Sequence, residues 1–144
     1  MKKIICIGLF LCLCFSCSRE EYSNIPYAPV NLVLYPEDMI QLTASPISFT
    51  KPRNASDQLG YGGILIVRDI YTPDAYYAYD LACPVEAQRN ICIQPDDTGI
   101  TATCSRCGSV FNIANGGYPE SGTKLKLTRY QISAIGGGAY KVSH

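Results

Sequence analysis

Residues 83–109 read CPVEAQRNICIQPDDTGITATCSRCGS, and the use made of their cysteines decides what fold must surround them. Four of the chain's eight cysteines fall here, Cys83, Cys92, Cys104 and Cys107, and no histidine does. Cys104-Ser105-Arg106-Cys107-Gly108 sets two thiols three residues apart, a spacing that presents both to one metal ion from a tight turn. Gly108 accepts a positive φ, which turns backbone N–H groups toward the sulfurs and stabilises thiolates. A redox dithiol uses the same spacing but opens a helix beside a βαβ unit. Here ITATC enters and SVFNI leaves, and both read as strands. Pro95-Asp96-Asp97-Thr98-Gly99 reads as a turn rather than a calcium site, because Asp tolerates turn geometry and Gly99 permits positive φ.

Working outward, ILIVRDI is a short apolar run with β-branched residues and predicts a buried strand. AYYAYDLA alternates, with Tyr77 and Tyr79 on one face and Tyr76 and Ala78 on the other. Half-buried cross-strand tyrosines are expected there, in preference to a stacking platform for sugars built on Tyr71, Tyr76, Tyr77 and Tyr79. NLVLYP predicts a strand near residues 30–35, and IQLTASPISFT a second one broken at Pro46. KLKLTRYQISAI alternates over most of its length, and the glycines at 136–138 turn it into AYKVS, a terminal hairpin. No amphipathic helix and no internal repeat are read. With 12 Gly and 9 Pro punctuating short segments, the fold class expected is all-β, an antiparallel sandwich or small barrel.

A strand ending YDLACP, a second loop ATCSRCGSVFNI, a Gly/Pro-bearing loop NGGYPESG and a strand LKLTRYQI follow one another. That order resembles the Rieske iron–sulfur domain, whose pattern is Cys-x-His, a spacer, then Cys-x-x-His-Gly and a Gly-Pro loop. The resemblance covers roughly residues 60 to 143 and implies a Rieske-like antiparallel β-sandwich with a cysteine-bearing loop subdomain. In the family two cysteines hold one iron and two histidines the other. Cys83 and Cys104 stand at the cysteine positions, Val85 at the first histidine position and Cys107 at the second. Val85 offers no ligand atom, and the one histidine of the chain is its last residue, His144, so the usual set of two cysteines and two histidines is excluded by composition. The Gly-Pro-Ala signature of the shielding loop is also absent, although Pro119 and Gly122 keep its flavour.

Several uses of the thiols stay open. Cys83, Cys92, Cys104 and Cys107 together offer the four thiolates of a [2Fe–2S] cluster or of one tetrahedral zinc ion. Cys92 enters as the natural fourth ligand and Glu86 as a weaker one. An all-thiolate cluster would carry more negative charge than a Rieske centre and have a lower potential. Disulfides are the default for an even cysteine count in an oxidising compartment, with pairing between loops, such as Cys83 with Cys107, easier than a strained Cys104–Cys107 bridge. The cofactor expected is thus a [2Fe–2S] cluster, with zinc or none as alternatives. One histidine leaves no Ser–His–Asp arrangement, and no substrate pocket is read, so the chain is not expected to be an enzyme.

The compartment is read from the N-terminus. MKKIICIGLFLCLCFSC opens with Lys2 and Lys3 and continues in an apolar run too short for a stable span, as a secretory signal does. Ser16 before Cys17 resembles the lipobox of bacterial lipoproteins, in the looser form of Bacteroidetes. That resemblance implies a signal peptide over 1–16 and lipid attachment at Cys17. It further implies a lipid-anchored tether over 17–29 and a β domain over 30–144. Glu20-Glu21 then looks like that group's acidic surface-export tag. The alternative is a cleaved signal without lipid. The formal net charge of zero argues against a nucleic-acid footprint, and loss of Lys2 and Lys3 leaves ten basic residues against twelve acidic ones. The localisation expected is the bacterial cell envelope, on the periplasmic or surface face of the outer membrane. The partners expected are the membrane, through the lipid, and an envelope redox or interaction protein.

Overall fold

The computed structural model describes residues 21–144, so Cys17 and the signal peptide read over 1–16 lie outside the described residues. Eleven strands and one short helix follow in order: β1 (Val30–Leu34), α1 (Pro36–Gln41), β2 (Ile47–Phe49), β3 (Gln58–Leu59), β4 (Ile64–Arg68), β5 (Tyr76–Asp80), β6 (Ile93–Pro95), β7 (Thr101–Cys104), β8 (Val110–Asn112), β9 (Tyr118–Ser121), β10 (Arg129–Gly136) and β11 (Ala139–Ser143). A seven-stranded sheet runs β2-β4-β5-β10-β11-β1-β3, and a four-stranded sheet runs β6-β7-β8-β9. Every pairing between these strands is antiparallel, as the all-β reading expected.

β10 is the corner of the large sheet. Arg129 and Tyr130 pair with Tyr79 and Ala78 of β5, and the rest of the strand pairs only with β11. Its two halves thereby face each other across one core: Leu32, Leu34 and Val142 meet Ile47, Ile64, Ile66, Ala78 and Tyr130. The opposite faces of β4 and β5 close a second core against the small sheet. There Leu65, Val67, Tyr79 and Leu81 meet Ile93, Ala102, Phe111, Ile113 and Leu127. A strand covered on both faces needs apolar side chains at successive positions, and Ile64, Leu65, Ile66 and Val67 are all buried. Alternation in β5 sorts Ala78 into one core and Tyr79 into the other, and Tyr77 stacks on Tyr79 at 5.9 Å between ring centroids.

Buried Asp80 locks the junction of the two cores. Its carboxylate accepts hydrogen bonds from the backbone N–H of Tyr61 (2.7 Å), Gly62 (2.9 Å) and Ala82 (2.8 Å) and from the Tyr130 hydroxyl (2.6 Å). Burial, reinforced by this bond to Asp80, holds the Tyr130 phenol well above its ordinary range.

Two local features differ from the sequence reading. Residues 36–41, in part assigned to a broken strand, form α1. Pro36 supplies the fixed φ of a first helical turn, and Asp38 reaches back to the Tyr35 N–H at 2.8 Å. Arg53 then ties α1 down, pairing with Asp38 at 2.9 Å with its guanidinium 4.7 Å from the Phe49 ring centroid. None of α1 is buried, which is why no apolar periodicity announced it. β10 also starts later than the alternating KLKLTRYQISAI implied. Leu127 is buried and Leu125 half-buried, but Leu125 bridges Glu21 and the Leu127 N–H donates to Gly117 O, so they line an irregular segment.

Candidate metal centre

Cys83 lies three residues past the end of β5, in a loop folded back on itself. Its N–H donates to Ile91 O at 2.8 Å, and its carbonyl accepts from the Ala87 N–H at 2.9 Å. Ala87 sits at φ 49°, a left-handed conformation that costs a non-glycine residue about 1 kcal/mol. Cys104 ends β7, opposite Ile93. The hairpin from β7 to β8 is closed by Cys104 N–H to Ser109 O (3.0 Å) and Gly108 N–H to Cys104 O (2.8 Å). Gly108 has φ 72°, and a Cβ there would meet nothing within 4 Å. Only its backbone angle, not space, calls for glycine.

The two loops bring three thiols together. The sulfurs of Cys83, Cys104 and Cys107 all lie within 4.8 Å of one another, and Cys83 Sγ is 3.6 Å from Cys107 Sγ. Three corners of a tetrahedron of thiolates about one ion, with metal–sulfur bonds near 2.3 Å, stand about 3.8 Å apart. The trio has that scale. Glu86 and Arg106, one from each loop, approach to 3.5 Å and bridge the loops at the surface.

The expected ligand positions divide. Cys92 is outside the trio: its thiol faces the carbonyls of Gly62 and Arg89, each at 3.6 Å, and its backbone pairs with Ala82. Glu86 is engaged with Arg106. Val85 is exposed at the loop surface. His144 packs on Tyr27 and Tyr130, with centroids 4.5 and 5.6 Å away, and is not grouped with the cysteines. Asp96 serves the turn, accepting from the hydroxyls of Thr98 and Thr101 at 2.8 Å each. Tyr71 is exposed, Tyr76 meets Tyr140 across the sheet, and Tyr79 is buried, so these tyrosines share no single platform. The four described cysteines form no disulfide.

The thiols are electrostatically unlike. Burial pushes the Cys83 thiol up to about 12, against hydrogen bonds from the backbone of Glu86 and Val85 that favour its thiolate. Burial also opposes ionisation of Cys107. There it is outweighed by hydrogen bonding to the hydroxyl and backbone of Ser109 and to the thiols of Cys104 and Cys83, so the net shift is downward. The Cys107 sulfur and Ser109 Oγ are 3.2 Å apart. A half-exposed, acidified thiol reacts before a buried neutral one. In metal-free, reduced protein near pH 7, Cys107 is therefore expected to be carbamidomethylated by iodoacetamide first. Peptide mapping at short times checks this, and early labelling of Cys83 would contradict it.

Ser109 is a site residue that sequence reading passed over, and Gly122, noted there only as part of the shielding loop, is what packs against it. A Cβ on Gly122, at φ 82°, would lie 2.9 Å from both Cα and Oγ of Ser109, so the loop after β9 closes onto Ser109 only because residue 122 lacks a side chain. Gly122→Ala is expected to cost about 1–3 kcal/mol and to displace the hydroxyl from Cys107. Thermal melts read the first effect, and metal affinity reads the second. The Pro-x-x-Gly spacing of PESG was the available signal.

No family model matches the chain, and no curated protein matches it. One solved structure similar to it is a complex of reduced oxygenase and oxidized ferredoxin in carbazole 1,9a-dioxygenase. The match has 15% identity over 69% of this chain and 81% of that one, at a TM-score of 0.42. A likeness of that extent carries nothing about function.

Proposed function

We propose that this chain is a cell-envelope lipoprotein whose β domain binds a metal centre through Cys83, Cys104 and Cys107, and that it transfers single electrons through an iron–sulfur cluster there. The carrying observation is the convergence of three thiols from two loops, two of them buried, within 4.8 Å. Backbone groups of Val85, Glu86 and Ser109 support sulfur charge, as a thiolate centre requires. The Rieske-like order of the loops favours iron. The chain would act with an envelope redox partner rather than as an enzyme.

A second reading is favoured by the compactness of the trio: one tetrahedral ion such as Zn²⁺, with the fourth corner left to an exogenous ligand and a structural role. Metal and acid-labile sulfide analysis separates the readings. The protein should be purified without oxygen from cells that export it. Iron with equimolar sulfide and a reducible visible spectrum is the expected result. Zinc without sulfide would replace electron transfer by the second reading. Absence of metal, with a Cys83–Cys107 disulfide, would refute both.

A further inference from the structure

We propose that the cleft walled by Tyr22, Tyr27, Tyr118 and His144 is the face on which the domain rests against phospholipid headgroups. This inference rests on the reading of Cys17 as a lipid anchor. Its observation is where the described chain begins. Glu21 pairs with Leu125 in a parallel bridge, and its carbonyl accepts from the Lys126 N–H at 3.2 Å, so the chain is fixed to the domain there. Only four residue steps separate Glu21 from Cys17. Fully extended, they span at most about 14 Å. The polar layer on each side of a bilayer is itself roughly 5–7 Å deep. An anchored domain therefore has no freedom to stand off or turn over; the surface around Leu125 must lie at or just above the headgroups.

What that surface displays suits the position. Tyr22 and Tyr27 are 79% and 75% exposed, and Tyr118 is 46% exposed. Together they wall a cleft of about 480 Å³. Tyrosine settles at the headgroup level of membranes because its ring is apolar and its hydroxyl wet. Two cations line the cleft, Lys126, with Nζ 4.0 Å from the Tyr118 ring centroid, and Arg129, whose guanidinium lies 4.6 Å from the ring of Tyr77 outside it. Both are placed to meet lipid phosphates.

The chain has no tryptophan, so a single Tyr→Trp change supplies the sole indole. Full-length acylated protein carrying Tyr27→Trp or Tyr118→Trp should be reconstituted into phosphatidylethanolamine–phosphatidylglycerol vesicles containing chain-brominated lipid. Tyr71→Trp is the reference, since exposed Tyr71 lines a different cleft with Pro46 and Gly99. Emission at the first two positions is expected to be quenched at least about two-fold more than at the third. Equal quenching at all three in acylated, vesicle-bound protein would overturn the proposal and leave the cleft to a soluble ligand. Unmodified Cys17, seen by mass spectrometry, would overturn it through the anchor instead.

Discussion

Cys104→Ser is expected to remove stoichiometric metal binding while leaving the fold in place. Cys104 is fully buried at the end of β7, and its sulfur is one of three that converge. Serine keeps the shape of the side chain but offers an oxygen that stays protonated near neutral pH, a poor ligand for a soft-metal site. Changes outside the ligand set cost about 10–100-fold in metal affinity, so loss of a direct ligand should exceed about 100-fold. Metal content after dialysis reads the loss, and circular dichroism checks the fold. Retained metal at wild-type affinity would mean that Cys104 is only a core residue. Cys83→Ser should behave alike, since Cys83 is equally buried.

Asp80→Ala is expected to produce the largest loss of stability. It strips the partner from three backbone N–H groups and the Tyr130 hydroxyl at once. Each buried donor left unsatisfied costs about 1–3 kcal/mol. With some relief from entering water, a loss of roughly 3–5 kcal/mol follows, against a total stability of about 5–15 kcal/mol. The melting temperature should fall by about 10–20 °C. Asp80→Asn retains one acceptor oxygen and should recover part of the loss. Because Ala82 immediately precedes Cys83, the same change should weaken metal binding even in molecules that remain folded. A shift below about 3 °C would contradict this account of the junction.

Much of this architecture was legible because burial writes itself into side-chain type. ILIV announced a buried strand, and AYYAYD announced an alternating one with Tyr77 and Tyr79 on one face; that both strands are covered on two faces by different cores came from the structure. Turns were legible where backbone angles demand glycine, as at Gly99 and Gly108. Asp80 was not, because a charged residue at the end of an alternating strand looks like a solvent-facing one. Only the return of Tyr61, Gly62 and Tyr130 from distant parts of the chain, beside the local N–H of Ala82, reveals four donors waiting for it. Cys92 illustrates the same limit from the other side. Spacing alone counted it with the other thiols, whereas the bridge to Ala82 directs its sulfur to the carbonyls of Gly62 and Arg89. Cys83 and Cys107, 24 positions apart, meet because β6 and β7 draw the two loops together, a relation that spacing does not encode.

The central claim is that three thiolates from two loops hold one metal centre. Adding Co²⁺ to anaerobic, reduced protein and recording the sulfur-to-cobalt charge-transfer band tests it most directly, with Cys92→Ser and Cys107→Ser measured alongside. The account predicts an intense band with tetrahedral d–d absorption, unchanged in Cys92→Ser and strongly diminished in Cys107→Ser. No band in the unaltered protein, or a band that depends on Cys92 and not on Cys107, would contradict it.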